Sequence, residues 1–513
     1  MKIDLLKDFY FRIFFLFHGL IVFSFIGKSQ DNVLNKTFSI SCDKCNYAEI
    51  LKKVTQQIAV PFAFNSDIFN DTKQFSVNFS DKTISYLFDS VFSDSLWKYS
   101  FIDNYIVIYK KSTSFGDINS VINDETKEKI IIEGKILDRT TDKPVPFATI
   151  FIDGYGIGTS ANYDGNFILK IRKDDGYRKI GISCIGYKTI YKELNEAVNE
   201  KIFYLETDYI PIQEVIIRKT DPLYIIINAL KKINQNYPTK PFILTSFYRE
   251  SIKKGDNLKS VNEAVVQTYK SGYLHYGNEQ IKIIKGRKTD NFSPNDSILM
   301  KMKGGLNSIL LLDIVKNKPD FLAEDFIKYY DFKLLDILPN DNRELYIIGF
   351  EQKKEIKPSL YTGKIYIDIE KLAIEGVEFS LNKKNIEDEW DRFVLKKPPY
   401  LKVRPVEANY QVNYRQINGR YYPNQIITDV KFKIKMKNHF FSSLYAIKIE
   451  NAVIDIDTID VKQFKIKEIA DIKGLITDNF ILKPEIYWND YNYIKPDDIL
   501  EEAIQKILNS QQK

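Results

Sequence analysis

Histidine is nearly missing from this chain of 513 residues, which holds three. His18 lies in an apolar N-terminal stretch, and the remaining two, His275 and His439, stand far apart in the sequence. A zinc hydrolase site of closely spaced imidazoles is thereby excluded. Cysteine is equally scarce, and three residues make no disulfide framework of the kind that staples small secreted domains. Cys42 and Cys45 form a CxxC pair that reads as a local disulfide or two idle thiols, because spacing alone is weak evidence for a redox centre and zinc would need two further ligands nearby. No GxSxG elbow, Gly-Lys-Ser/Thr phosphate loop or GxGxxG turn occurs. Gly181-Ile-Ser183-Cys-Ile-Gly186 comes near and reads as a strand and turn. Runs of five or six like charges are absent too: 74 basic and 68 acidic residues are interspersed, so the net charge of +6 forms no basic arm and nucleic acid is not an expected partner. These absences leave no catalytic residue, metal ligand or cofactor to nominate. Asp388, Glu389 and Asp391 are the nearest thing to a glycosidase pair, which needs carboxyls about 5–10 Å apart, but acids at that density are ordinarily solvated.

What is present favours sheets. The chain has 33 Tyr and 35 Phe, residue types that fit a half-buried pleated surface. Its length implies roughly three or four folding units. The expected fold class is multidomain α+β and all-β. The first 29 residues read as a signal peptide: Lys2, Lys7 and Arg12 precede an apolar stretch from Ile13 to Ile26, and Gly27-Lys28-Ser29 supplies small residues near a cleavage point. That stretch is short of the roughly 20 residues that span a bilayer, so export is the expectation. No acylation Cys follows directly.

Residues 37–110 alternate strand and helix periods: Phe38–Ser41 as a strand, Tyr47–Ile58 as a helix, Phe75–Phe79 as a strand, a second helix over Thr83–Val91 capped by Ser80 or Asp81, and a hairpin of Leu96–Tyr99 and Tyr105–Tyr109. With Val60-Pro61-Phe62-Ala63-Phe64 the order is βαββαββ. Phe38-Ser-Ile, Ala48 with Leu51 and Val54, Ile84 with Leu87, and Tyr105-Ile-Val-Ile resemble the short N-terminal domain of secretins and TonB-dependent transducers. The resemblance implies a periplasmic module that docks on another protein. Residues 111–129 are polar and aperiodic, as a linker is.

From 130 to 218 the period is two, in short strands parted by the turns Asp138–Pro144 and Asn162–Asn166. Asn162, Asp164 and Asn166 open like a calcium loop, but no bidentate Glu follows at the required distance, so a hydrogen-bonded turn is expected. Gly134, Asp138, Pro144-Val-Pro146-Phe-Ala148-Thr149, Gly158-Thr159, Asp164-Gly165-Asn-Phe167, Ile185-Gly186-Tyr187 and Glu214-Val-Ile-Ile-Arg218 resemble the carboxypeptidase-regulatory-like domain of Bacteroidetes outer-membrane receptors. That implies a transthyretin-like β-sandwich without peptidase activity. In such receptors a plug and a large barrel would follow, whereas about 295 residues remain here.

Residues 220–513 read as a helix, Leu223–Ile233, capped by Asp221, then many strands with short turns, of which Asn418-Gly419 is the strongest hairpin signal. The expectation is a mostly antiparallel, half-barrel-like β domain with covering helices, Asp313–Tyr330 supplying one cover. Gly363-Lys-Ile-Tyr-Ile-Asp368, Ala373-Ile and Tyr414-Arg-Gln-Ile-Asn-Gly419-Arg-Tyr-Tyr-Pro423 resemble the half-open barrel of lipoprotein-sorting and related periplasmic carriers, which implies a concave surface for an acyl chain or a polypeptide. A transmembrane barrel is the competing reading for these strands. Taken together, an exported, non-enzymatic interaction protein of the periplasm or the periplasmic face of the outer membrane is expected. Its partners would be envelope proteins, TonB-linked or outer-membrane components, and a lipid or other apolar ligand. The alternative is an envelope hydrolase of glycan or peptide with a carboxylate or Cys site after residue 220.

Overall fold

The computed structural model describes residues 37–57, 62–64, 74–92, 97–102, 105–110, 129–173, 176–207, 221–275, 277–290, 301–302, 305–340, 343–384, 386–396, 399–437, 440–472, 476, 488 and 491–511. The expected signal peptide, the linker at 111–128 and His439 lie outside them. The chain divides into two compact units, residues 1–127 and 128–513.

In the first unit the elements follow as β1 (Thr37–Cys45), α1 (Tyr47–Gln57), β2 (Phe62–Phe64), β3 (Phe75–Thr83), α2 (Ile84–Phe92), β4 (Trp97–Ile102) and β5 (Tyr105–Lys110). Strands β1 and β3 pair antiparallel, and β5 sits between β2 and β4. A reciprocal cap starts α1: the Glu49 amide donates to Asn46 Oδ1 and the Asn46 amide to Glu49 Oε2, at 3.0 and 3.1 Å. The cap of α2 is Thr83, whose hydroxyl accepts from the Tyr86 amide, and not Ser80 or Asp81, because β3 runs on to Thr83 and both lie within it, at the bulge opposite Ser39. Tyr47, Ile50, Val54, Ile84, Leu87 and Phe88 close the core between the helices and sheet.

The second unit begins with β6 (Lys129–Asp138), β7 (Thr149–Ile152), β8 (Gly158–Ser160), β9 (Asn166–Arg172), β10 (Lys179–Ser183), β11 (Ile190–Glu193) and β12 (Ile202–Leu205). They make two sheets, ordered β11-β10-β7-β8 and β12-β6-β9, whose inward side chains (Ile132, Ile136, Ile150, Phe167, Ile182, Phe203) form one core. This is a sandwich.

Next come α3 (Pro222–Lys231), β13 (Phe242–Lys254), β14 (Asn257–Lys270), β15 (Gln280–Asp290), β16 (Lys301–Met302), α4 (Asn307–Leu311), β17 (Tyr330–Asn340), β18 (Arg343–Gln352), β19 (Tyr361–Asp368), β20 (Ile374–Leu381), β21 (Val394–Lys396), β22 (Leu401–Ile417), β23 (Arg420–Met436), β24 (Ser443–Asp457) and α5 (Asp498–Gln511). Ten of these strands form one antiparallel sheet, β15-β14-β13-β24-β23-β22-β20-β19-β18-β17. Its end strands β15 and β17 do not pair with each other, so the described strands form an open sheet and not the closed transmembrane barrel set against it. No helix among the described residues is long and apolar enough to cross a membrane.

Residues 420–436 run as one strand, β23, through Pro423. Tyr414 faces Pro423 and Asn413 faces Gln425, leaving Asn424 as the extra residue of a bulge, where a proline costs the ladder little. At the other end of these strands Ile417 faces Arg420 across Asn418-Gly419, both at positive φ, as the tight hairpin demands.

One face of the sheet is apolar and must be covered. α3 contributes Ile225, Ile226 and Ala229, its first turn held by Asp221 Oδ1 accepting from the Leu223 amide at 2.9 Å. The segment 305–330 contributes Ile314, Val315, Phe321 and Leu322. Only α4 and a single 3-10 turn are helical in that segment; the rest is turns, so the cover is irregular backbone rather than a long helix. The Phe321 ring is fully buried and stacks on Phe350 with centroids 4.2 Å apart. Phe321→Ala should therefore cost about 3–5 kcal/mol in chemical unfolding. A loss below about 1 kcal/mol would mean that the segment is not part of the sheet's core.

Candidate functional site

Charge is unusually abundant inside the sheet. Arg249 on β13 is 1% exposed and lies between two carboxylates from neighbouring strands. Its Nε donates to Glu263 Oε1 at 2.8 Å, Nη1 approaches Glu450 Oε2 at 3.4 Å, and Nη2 donates to the Ile494 carbonyl at 2.6 Å. Arg287 closes on the other oxygen of Glu263, and Lys448 on the other oxygen of Glu450. Burial opposes charge on both acids, but their cationic neighbours outweigh it and hold both carboxyls below the ordinary range. Glu250, on the adjacent position, is raised by burial, partly offset by bonds from Asn262 and Tyr248.

A second network ties the covering segment down. Asp313 is 1% exposed and accepts from Tyr273 and Tyr414 hydroxyls at 3.0 and 2.9 Å, while Lys270 Nζ lies 2.7 Å from Asp313 Oδ2 and 2.7 Å from Glu279 Oε2. Lys316 answers the other Glu279 oxygen at 2.7 Å and donates to the Gly272 carbonyl. Each charge in this network has an opposite charge beside it. The groups are structural, since no charge is left over to act on a substrate.

The sandwich lies on part of the sheet's other face. Asn424, the bulge residue, donates to Thr149 Oγ1 at 2.8 Å, Gln425 bonds Ser160, Asn162 Nδ2 donates to the Pro496 carbonyl at 2.9 Å, and Lys170 Nζ to that of Trp488 at 2.6 Å. At Gly156 the backbones come so close that an added Cβ would meet Ile456 main-chain atoms at 2.8 Å. Beside these contacts a cleft of about 630 Å³ opens between the two layers. Phe147, Phe151, Tyr187 and Tyr191 line it from the sandwich; Gln411, Asn413, Arg415 and Gln416 of β22 line it from the sheet.

Arg415 is 8% exposed. Its Nη2 donates to the Gly156 carbonyl at 2.8 Å and its guanidinium lies 5.1 Å from the Phe151 ring centroid. Nε, Nη1 and the side-chain nitrogen of neighbouring Gln416 are buried donors that meet no acceptor among the described residues. Burial brings the guanidinium down to about 10, so it stays charged at neutral pH. Buried donors without acceptors are rare and call for a specific explanation. The thiol in the cleft, Cys184, is pushed up to about 12 by burial, with Glu378 adding to the effect, so it is no thiolate at neutral pH.

The residues singled out in the sequence fall elsewhere. Cys42 and Cys45 are joined as a disulfide at the end of β1, both in the core of the first unit. Asn162 and Asp164 serve a turn and a docking contact: Asn162 Oδ1 accepts from the Asn166 amide, and Asp164 Oδ2 accepts from the Asp498 amide at the start of α5. His275 is exposed. Asp388 and Asp391 are exposed, and Glu389 is held by Arg392 Nε at 2.6 Å and by the Ser359 amide. Among the described residues no group of three or more His, Cys, Asp or Glu is placed to hold a metal ion. Arg249 and Glu263 went unremarked in the sequence, and Asp313 and Arg415 entered there only as parts of a covering segment and a motif, although a charge inside Phe247-Tyr-Arg249 or Val261-Asn-Glu263-Ala-Val-Val is a readable signal of a buried pair.

Residues 132–217 match the CarboxypepD_reg-like domain family, so the sandwich carries the domain that its motifs implied. No curated protein matches the chain. Among solved structures the chain is similar to a DUF1329 family protein from Desulfovibrio piger, at 12% identity over 47% of this chain and 96% of that one, with a TM-score of 0.23. It is also similar to an outer membrane lipoprotein-sorting protein domain from Vibrio parahaemolyticus, at 9% identity over 47% and 96% with a TM-score of 0.21, and to lipovitellin, at 7% over 44% and 26% with 0.22. Likenesses of this size do not fix a fold.

The Arg249 network has a sign in pH. Glu263 and Glu450 titrate below their ordinary value of 4.5 in the folded chain, so they stabilise it above that pH, and the contribution is lost as pH falls below 4.5 toward their folded values. Glu250, shifted upward, works the opposite way. Melting temperature should fall on acidification below 4.5, and Glu263→Gln, which removes one of the two carboxylates around buried Arg249 and the one that Arg287 meets, should cost about 3–5 kcal/mol at pH 7 and flatten that acid slope. An unchanged slope in the variant would remove Glu263 from the account.

Proposed function

We infer that the chain is an exported, non-catalytic binding protein of a Bacteroidetes-type cell envelope, placed in the periplasm or on the periplasmic face of the outer membrane. The cleft between sandwich and sheet receives an extended polypeptide segment of an envelope partner. The observation that carries this reading is the set of unanswered donors on Arg415 and Gln416 beside aromatic walls. An extended peptide brings carbonyl acceptors for such donors and side chains for the rings, and a guest that parts the walls slightly lets these donors make the bonds they lack. The first unit, by its resemblance, is a docking module for the same or another envelope protein.

Two features support binding over hydrolysis. The cleft's thiol stays protonated, and its Glu375 accepts from the Tyr421 hydroxyl at 2.8 Å. An acyl chain is the second reading, favoured by the apolar face of the large sheet; that face now holds Ile314, Val315, Phe321 and Leu322, so a lipid would enter only in their place.

The test is Arg415→Met with a photo-reactive residue at exposed Tyr155 at the cleft rim, in the full chain. Cross-links to a discrete envelope polypeptide are expected, reduced about tenfold or more by the substitution, as fits loss of charged hydrogen bonds. Stability should be unchanged within about 1 kcal/mol, or raised, because a buried charge with unmet donors is replaced by an apolar side chain of similar length. A substitution that lowers stability by several kcal/mol and leaves the cross-links intact would make Arg415 structural. Turnover of glycan or peptide by the purified chain would overturn the non-catalytic reading.

A further inference from the structure

Away from the cleft, the open end of the β22–β23 hairpin is a basic strip. Lys402 faces Lys435 directly across the ladder, and Arg404 faces Lys433. All four are exposed, on the side opposite the buried Leu401, Val403, Phe432 and Ile434, so the strip is backed by a rigid core. Like charges placed directly opposite destabilise an antiparallel pair. Two such pairs in succession do nothing for folding. Lys437 continues the strip, and with Tyr400 these five cations line a groove of about 550 Å³. Arg404 meets Glu387 at 3.1 Å in a solvent-exposed pair, which is a weak interaction. The ammonium groups of Lys402, Lys433, Lys435 and Lys437 have no acidic partner among the described residues. Just beyond stand Phe440 and Phe441, 93% and 89% exposed.

We propose that this end of the hairpin docks on an anionic lipid surface, the cations against lipid phosphates and the two phenyl rings at headgroup depth. Unpaired cations alone would suit any anion. Two adjacent, almost wholly exposed aromatic rings beside them suit a medium that is charged at its surface and apolar beneath, which a bilayer is and a free phosphate is not. The proposal is independent of what the cleft binds.

The experiment is flotation of the purified full chain with vesicles of phosphatidylcholine alone and of phosphatidylcholine with phosphatidylglycerol, at low and at physiological salt. Binding is expected on the anionic vesicles only, weakened by salt. Lys402→Gln/Lys433→Gln/Lys435→Gln should reduce it roughly a hundredfold, about fivefold per lysine removed from the lipid surface. Phe440→Ser/Phe441→Ser should reduce it about tenfold while the salt dependence stays. All five side chains are exposed, so melting temperatures equal to the parent's are expected and serve as the check on folding. Equal binding to both vesicle types, no binding to either, or a lysine variant that floats like the parent would overturn the proposal. Displacement of the chain by inorganic phosphate at constant ionic strength would also overturn it, by assigning the strip to a soluble anion.

Discussion

The carboxylate of Asp313 decides what the large sheet can do. Ten antiparallel strands present an apolar face that water penalises, and the chain covers much of it with a segment that is mostly turns. Buried irregular backbone carries polar groups that no helix ladder answers, so it persists only where side chains answer them. Asp313 gathers Lys270, Tyr273 and Tyr414 around one point, and the Tyr414 hydroxyl also accepts from the Val315 amide at 3.2 Å. A buried ionic group adds little net stability over an apolar substitute, but it fixes position, because every misplaced arrangement leaves a charge unpaired. The concavity that could have held a ligand is therefore filled, in a defined register, by the protein's own Ile314, Val315, Phe321 and Leu322.

With that face occupied, the capacity to bind moves to the other side of the sheet. There the sandwich is attached mainly through polar groups, Asn424 to Thr149 and Arg415 to Gly156 among them, with Gly156 allowing backbone to approach backbone. These hydrogen bonds hold the joint at separate points. It leaves the cleft, and on Arg415 and Gln416 it leaves donors unmet. Unmet buried donors weaken a fold, and proteins retain such costs where a ligand relieves them.

Elements with strong local signals were readable in the sequence. Asp221-Pro222 starts a capped helix and Asn418-Gly419 turns a two-residue hairpin. The strands β15 and β17 were not readable. Both are edge strands of the sheet, and each carries a bulge, at Ile284 and at Leu335. The short β8 and β11 fell below the length at which alternation can be told from chance. The candidate site was illegible for a different reason. Arg415 is one basic residue in an alternating strand, and its meaning comes from Gly156 and Phe151, some 260 positions earlier in the chain. Composition and spacing carry no record of such a meeting, whereas the sandwich motif, contiguous in sequence, was recognisable and matches its family.

The two surfaces left with unanswered polar groups sit at opposite ends of one hairpin. Strands β22 and β23 are 17 residues each, and thirteen residues separate Lys402, in the basic groove, from Arg415, in the cleft. At about 3.3 Å per residue the two sites lie roughly 40 Å apart. The hairpin between them is the most extensively paired part of the sheet, flanked by β20 and β24 and backed by buried Ala408, Val412, Ile426 and Val430, so its length is a rigid spacing rather than an average. If lipid phosphates hold the basic end and a polypeptide lies in the cleft, the guest is kept at a fixed height above the bilayer, beyond the Debye length of about 8 Å at physiological salt. Charge at the membrane then has no bearing on recognition in the cleft, and each end of the hairpin is free to be selected for its own partner.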